Sequence, residues 1–164
     1  MTVAVRSPGL MVESKHVLFG IEVVHRDHAL GLLSARLGQI TALNRAKLQS
    51  TFRLKTPVGW ASKGVALAMA TPPDFGGVSW AAARLIQPVT FERGRLPADL
   101  VFAVVGPMGD DLAGRRAVRI FEKLAQDAPM LAALRAATSS SWFCAELTFA
   151  FERLGNPLGV MMRE

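Results

Sequence analysis

The sequence predicts an α/β fold with helices on both faces of one sheet, and two observations carry that prediction. Short apolar, β-branched runs read as strands: His16 to Val24, Gly64 to Ala70, Val78 to Ile86 and Leu100 to Val105. Apolar residues also recur at helical spacing, as at Leu30, Leu33 and Leu37, and again at Leu112, Ala113, Ala117, Ile120, Phe121 and Leu124. Strands interleaved with helices bury their apolar faces by layering helices over a sheet. A chain of 164 residues suffices for one such domain and falls short of two ordinary ones.

The elements follow in order. Residues 1–15 lack a period and are expected to form a loose arm before a domain over 16–155, with 156–164 as a tail. After the first strand, Asp27 suits a helix N-cap and a helix runs on from Ala29. A second helix is expected over Leu43 to Leu54, with Leu43, Ala46 and Leu54 toward the core and Pro57 and Gly59 ending it. Two strands come next, separated by a Pro-Pro-Asp-Phe-Gly-Gly turn. Leu100 to Val105, apolar throughout, suits a strand covered on both faces and is stopped by Gly106 and Pro107. Asp110 and Asp111 favour a helix N-terminus through capping and the helix dipole. Met130 to Ala137 reads as a short helix, and Ser141 as the cap of a last helix that reaches Leu154, with Gly155 near its C-cap.

Composition narrows the classes of function. No apolar run approaches the ~20 residues that cross a bilayer, and Met1 to Leu10 lacks the apolar stretch of a signal peptide. The single Cys144 has no disulfide partner and no Cys or His at metal-ligand spacing. These features point to the cytoplasm and away from membrane insertion. The net charge is +6, and no acidic residue lies between Asp27 and Asp74. That stretch carries Arg36, Arg45, Lys47, Arg53, Lys55 and Lys63, a one-sign region able to steer an acidic partner. The plainer reading is a solvated face neutralised from elsewhere in the fold.

Candidate chemistry is sparse. His16, His25 and His28 have no Cys or acidic residues at ligand spacing, so no metal is expected, and a surface or cap-proximal role suits them. Phosphate-loop, dinucleotide and Gly-x-Ser-x-Gly patterns are absent, so no cofactor is expected. Ser139, Ser140 and Ser141 lack a nearby histidine base and read as a loop and cap, and Cys144 between Phe143 and Ala145 reads as inert packing. Trp60 and Trp80 flank the central strands and are core residues or pocket lining. No nucleic-acid motif accompanies the basic stretch, which disfavours nucleic acid as a partner.

Gly64-Val65-Ala66-Leu67-Ala68-Met69-Ala70 resembles the strand Gly-Val-Ala-Ile-Pro-His-Ala of the fructose/mannitol and nitrogen-regulatory type of phosphotransferase-system enzyme IIA. Asp27-His28-Ala29-Leu30 followed by Leu33 is similar to that family's first helix. Downstream, Ala83-Arg84-Leu85-Ile86-Gln87-Pro88-Val89-Thr90-Phe91 resembles its ARL-x-x-P-V-x-F stretch, and Ala98-Asp99-Leu100-Val101-Phe102 with Gly106-Pro107 its next strand and exit. The helix Arg116 to Asp127 followed by Leu134-Arg135-Ala136-Ala137 resembles its later helices. The resemblance implies a single mixed sheet of about four or five strands flanked by helices on both faces.

The departures concentrate where that family does its chemistry. The phosphoryl-accepting histidine falls at Met69, its preceding proline at Ala68, and a second, assisting histidine at Ala113. The family's Arg-Glu…Gly-Ser-Thr approach becomes Arg53-Leu54…Pro57-Val58-Gly59. A thioether neither accepts a phosphoryl group as imidazole does nor titrates near neutral pH. The resemblance therefore implies a non-catalytic enzyme IIA-like regulatory module that binds a protein partner, an acidic one given the basic stretch. The family's phosphocarrier is expected to dock with a basic face, so like charges weaken or abolish its binding. Binding candidates are Gly64, Met69, Trp60, Arg45, Lys47, Arg53, Lys55 and Lys63. The alternatives are phosphotransfer through His25 or His28, and a small-molecule sensor whose apolar pocket is lined by Met69, Trp60 and Phe75. A homo-oligomer stays open.

Overall fold

The computed structural model describes residues 12–55, 64–73, 75–94, 96–109 and 112–155. A 3-10 turn at Ser14–His16 leads into β1 (Val17–Ile21), followed by α1 (Arg26–Thr41), α2 (Arg45–Thr51), β2 (Arg53–Lys55), β3 (Val65–Ala70), β4 (Ser79–Val89) and β5 (Ala98–Val105). Three helices close the chain: α3 (Ala113–Ala125), α4 (Ala128–Ala136) and α5 (Ser140–Arg153). No helix among the described residues is long and apolar enough to cross a membrane. The strands form one five-stranded sheet in the order β1-β4-β5-β3-β2. β1 runs parallel to β4 and β3 parallel to β5, whereas β4 and β5, and likewise β2 and β3, are antiparallel. The mixed α/β sheet with helices on both faces is the architecture that the resemblance implies.

Alternation along the strands divides the core in two. One face presents Ala66, Ala68, Ala70, Ala81, Ala83 and Ala103, packed with Ala29, Leu30, Leu33 and Leu37 of α1 and Leu48 of α2. Methyl side chains on the sheet leave space for the leucine stripe of the helix above. The other face presents Val65, Leu67, Trp80, Leu100, Phe102 and Val104 to α3, α4 and α5. There Phe121 stacks on Phe102 at 4.8 Å and meets the edge of Phe151 at 5.5 Å.

Several boundaries differ from the sequence reading, each for a local reason. α1 begins at Arg26 with His25, not Asp27, as its N-cap. α2 stops at Thr51, and Leu54, expected inside a helix, lies in β2 instead. Pairing with the free edge of β3 gives these three residues sheet hydrogen bonds that outweigh a last helical turn. Leu48 is the buried residue of α2, while Ala46 is exposed and Leu43 and Leu54 are half-buried. Ser139, not Ser141, caps α5, its Oγ accepting from Trp142 N at 3.1 Å. Leu112 precedes α3 with no side-chain capping bond, while Asp110 and Asp111, and the expected stop at Pro57 and Gly59, lie outside the described residues. β4 continues to Val89, beyond Ile86, with a register irregularity between Arg84 and Val89. At the edge strand β1, Gly20 sits at φ +66°, and Arg36 Nη1 donates to Lys15 O (3.1 Å) and Val17 O (3.3 Å), which blunts the open edge. Gly155, at φ +74°, ends α5 as its position suggests.

Candidate functional site

Strand register assembles a row across the sheet. Arg53 of β2 pairs with Met69 of β3, Met69 with Val104 of β5, and Val104 with Trp80 of β4. Directly opposed residues share a sheet face with Cβ atoms roughly 5 Å apart, and here the face is the one under α3–α5. Met69 is half-buried against that core, as are Val78 and Met108. Trp80 is fully buried, its ring 5.8 Å from Phe121 and 5.4 Å from Phe151. His16 lies flat on Trp80, 4.5 Å away and tilted by only 8°, and ends the row.

The turn beyond Met69 places α3 at the same end of the sheet. Gly106 N donates to Ala70 O at 3.1 Å, and Pro107 and Met108 lead toward the helix. In the first turn of α3, a Cβ on Gly114 would stand 2.3 Å from Pro107 O, so glycine alone permits this approach. Ala113 is the first residue of the helix and half-buried. The first turn contains no acidic residue and carries Arg115 and Arg116, while Leu112 leaves 47% of its surface exposed. Among the described residues, those named at this end of the sheet around Met69 and the start of α3 carry thioether, aliphatic and guanidinium groups. The positions of the row from Arg53 to Trp80 hold no imidazole, carboxylate or hydroxyl, and so offer no nucleophile for phosphoryl transfer.

Each of the three histidines already uses Nδ1 as an acceptor. His16 Nδ1 accepts from Glu13 N at 3.1 Å, His28 Nδ1 from Val24 N at 3.2 Å, and His25 Nδ1 from His28 N at 3.1 Å. An Nδ1 that accepts places the proton of a neutral ring on Nε2. Burial lowers the pKa of His16, with smaller contributions from Glu13, which raises it, and Lys15, which lowers it. His25 and His28 follow the C-terminal end of β1, which is parallel to β4, so strand directions put them at the end of the sheet remote from Met69. Sequence reasoning anticipated the cap-proximal pair and missed the burial of His16, because no local signal ties it to Trp80.

No protein-family model matches the chain, and no curated protein matches it. Solved structures do. The nitrogen regulatory protein IIA-Ntr from Neisseria meningitidis superposes with a TM-score of 0.65 at 18% identity, over 82% of this chain and 94% of that one. The mannitol IIA from Escherichia coli superposes at 0.61 and 14% identity, over 84% and 99%. A complex of the Escherichia coli mannitol enzyme IIA with phosphorylated enzyme IIB gives 0.66 at 12% identity, over 85% and 98%. The chain has the fold of the phosphotransferase-system IIA proteins.

Within this IIA fold the predicted binding residues separate. Gly64 stands at the foot of β3, five residues before Met69, which at ~3.3 Å per residue is about 16 Å along the strand. Its φ of +72° and its contact with Arg135 are structural: a Cβ there would lie 2.7 Å from Arg135 Nη2. Arg135 binds Asp99 through Nε (3.1 and 3.2 Å) and Nη2 (3.0 Å), and Arg84 Nη2 donates to Arg135 O at 3.1 Å. Of the basic candidates, exposed Arg45 and Lys47 lie on α2, over the face opposite the one that exposed Arg53 shares with Met69. Lys55 occupies the register position opposite Leu67 in β2. Arg36 is half-buried against the backbone of β1. Trp60 and Lys63 lie outside the described residues. Trp80, read as core or pocket lining, is core. Phe75 packs with the α1/α2 core and Met69 with the other, so the sheet divides two of the three residues named for a sensor pocket. Cys144 is half-buried, and burial raises its pKa, which disfavours the reactive thiolate. Among the described residues no His, Cys, Asp and Glu group could hold a metal ion.

Proposed function

We propose that this chain is a non-catalytic IIA-like regulatory module, cytoplasmic, that acts by binding a protein partner. The observation that supports the reading is the row Arg53–Met69–Val104–Trp80, with a thioether at Met69, the residue that the sequence resemblance aligns with the family's phosphoryl-accepting histidine. A IIA neighbour is known in complex with a protein, the phosphorylated enzyme IIB. In this chain the end of the sheet at Met69 offers Met69, Val78, Met108 and Leu112 as an apolar anchor surface, with Arg53 and Arg115 near it. An apolar patch rimmed by arginines suits an acidic partner, and it disfavours a phosphocarrier with a basic docking face. Phosphotransfer through His25 or His28 is the weaker reading. Both rings already use Nδ1 as an acceptor, and both sit at the far end of the sheet.

The test is the intact mass after incubation with phosphoenolpyruvate, enzyme I and the histidine phosphocarrier, beside a catalytic IIA domain as control. The control gains about 80 Da for one phosphoryl group, and this chain is expected to gain nothing. An acid-labile gain on this chain would overturn the proposal.

A further inference from the structure

α5 buries one side and leaves aromatic rings on the other. Phe143, Leu147, Ala150 and Phe151 are its buried residues. Of the large apolar side chains left exposed among the described residues, the two aromatic ones, Trp142 at 43% and Phe149 at 55%, both lie on this helix. Seven residues apart, they fall within about 20° of each other around the helix and about 10 Å apart along it. Exposed Ala145 comes between them along the axis. Two rings aligned in this way make an apolar ridge, unlike singly scattered surface residues. Glu146 and Arg153, also seven residues apart, run along one flank of the ridge, and Glu152 lies on the other. Glu146 Oε2 accepts from Trp142 Nε1 at 3.2 Å, which holds the indole along the helix.

We propose that this face of α5 joins two copies of the chain, packed antiparallel about a two-fold axis beside Phe149. A two-fold contact brings the same patch together from both copies, so the patch must complement itself. The midpoint between Glu146 and Arg153 falls next to Phe149 in the helix. A reversed copy of α5 centred there sets Glu146 against Arg153 of the second copy, and Arg153 against Glu146 of the second copy. The two Phe149 rings meet at the centre, and a Trp142 closes each end. Charge complementarity selects a second copy as the occupant. The flank carries an acid and a base two turns apart, and the same flank reversed supplies both complements in matching register. Glu152 stays at the outer rim, in solvent. The net charge of +6 works against association through the basic faces of the molecule. Aromatic side chains at the centre with charged groups at the rim are the usual build of a protein contact. The ridge is small, so the dimer belongs to the weak, concentration-dependent class. This contact is independent of the function proposed above.

The test is sedimentation of the full chain from about 5 to 500 µM, over which the mass should rise from monomer to dimer and no further. Phe149→Ala should weaken dimerisation about tenfold. Arg153→Glu should weaken it about fivefold, and adding Glu146→Arg should recover most of that loss, because the reversed pair is rebuilt across the axis. A chain that stays monomeric throughout, or that grows past the dimer, would overturn the proposal. A dimer indifferent to Phe149→Ala, or a charge exchange without recovery, would place the contact elsewhere and overturn it equally. Circular dichroism checks that each variant keeps its helices. Should Phe149→Ala lose them, the exchange of Glu146 and Arg153 still decides.

Discussion

Replacing Gly64 by alanine tests whether this family-matched glycine serves the fold or the site. The new Cβ would stand 2.7 Å from Arg135 Nη2 and 3.4 Å from Asp99 Oδ1, on a backbone with φ +72°. The left-handed conformation costs a residue with a Cβ about 1–2 kcal/mol. The guanidinium can swing aside, but then gives up its forked bonds to Asp99. These groups are 31% and 21% exposed, so the loss is partly screened and about 1 kcal/mol is reasonable. Lower entropy of the unfolded chain returns about 0.5 kcal/mol. The net effect is roughly 2 kcal/mol of destabilisation, or about 4–8 °C in Tm for a chain of this length. Urea unfolding followed by circular dichroism measures it. In an Arg135→Ala background the steric part vanishes and only the backbone strain remains, so the double-mutant cycle should show about 1 kcal/mol of coupling. A single-mutant loss under ~0.5 kcal/mol, or additive effects, would refute the reasoning.

Three further outcomes are expected. Gly114→Ala drives a methyl against the backbone oxygen of Pro107, 2.3 Å away, and should cost about 1–3 kcal/mol as overpacking does, read as a lower urea midpoint with unchanged slope. His16 has its pKa lowered in the folded state by burial, so below its usual 6.5 the unfolded chain binds the extra proton; stability present above that pH should fall as the pH drops below it and level off beneath the folded pKa. His16→Phe, which can keep the stack on Trp80 and cannot titrate, should lose less stability than the unaltered chain between about pH 8 and 5, as measured by thermal melts. Met69→His should place an imidazole in the row without activating neighbours, and in the phosphoenolpyruvate assay the variant should remain unlabelled or label far more slowly than a catalytic IIA domain.

Much of the fold was legible because its determinants are local. The apolar run Leu100–Val105 is buried on both faces as β5, and the stripe Ala117, Ile120, Phe121 and Leu124 is the buried face of α3. β2 was not legible: Arg53 to Lys55 holds its shape by pairing with β3, a partner ten or more residues away. The His25 cap was missed because histidine is not among the preferred capping residues, although its Nδ1 accepts from His28 N as an asparagine oxygen would. Met69 was singled out through its sequence neighbours. Its companions in the row were not, since register across β5 and β4 leaves no trace in a single sequence. The separation of Gly64 from Met69 needed only the rise per residue of a strand, which parts a glycine from a methionine five places later.

If Met69 marks the family's acceptor position, as proposed, packing takes the place of chemistry along the row. A phosphoryl acceptor needs an accessible ring with a free lone pair and polar groups that activate it. Here Met69 is half-buried, Val104 and Trp80 are fully buried, and the imidazole at the end is stacked and capped. Each residue adds apolar contact to the α3–α5 core instead of a polar group that must be satisfied. One polar group is left over: Trp80 Nε1 is buried and finds no acceptor among the described residues, a cost of about 1–3 kcal/mol. Under that proposal, phosphoryl transfer at this row would require more than one imidazole. The row would have to give up core contacts to admit polar neighbours, and a core at this packing density makes such exchanges expensive. That coupling between the row and the core is a physical reason for a single substitution to be insufficient for phosphoryl transfer there.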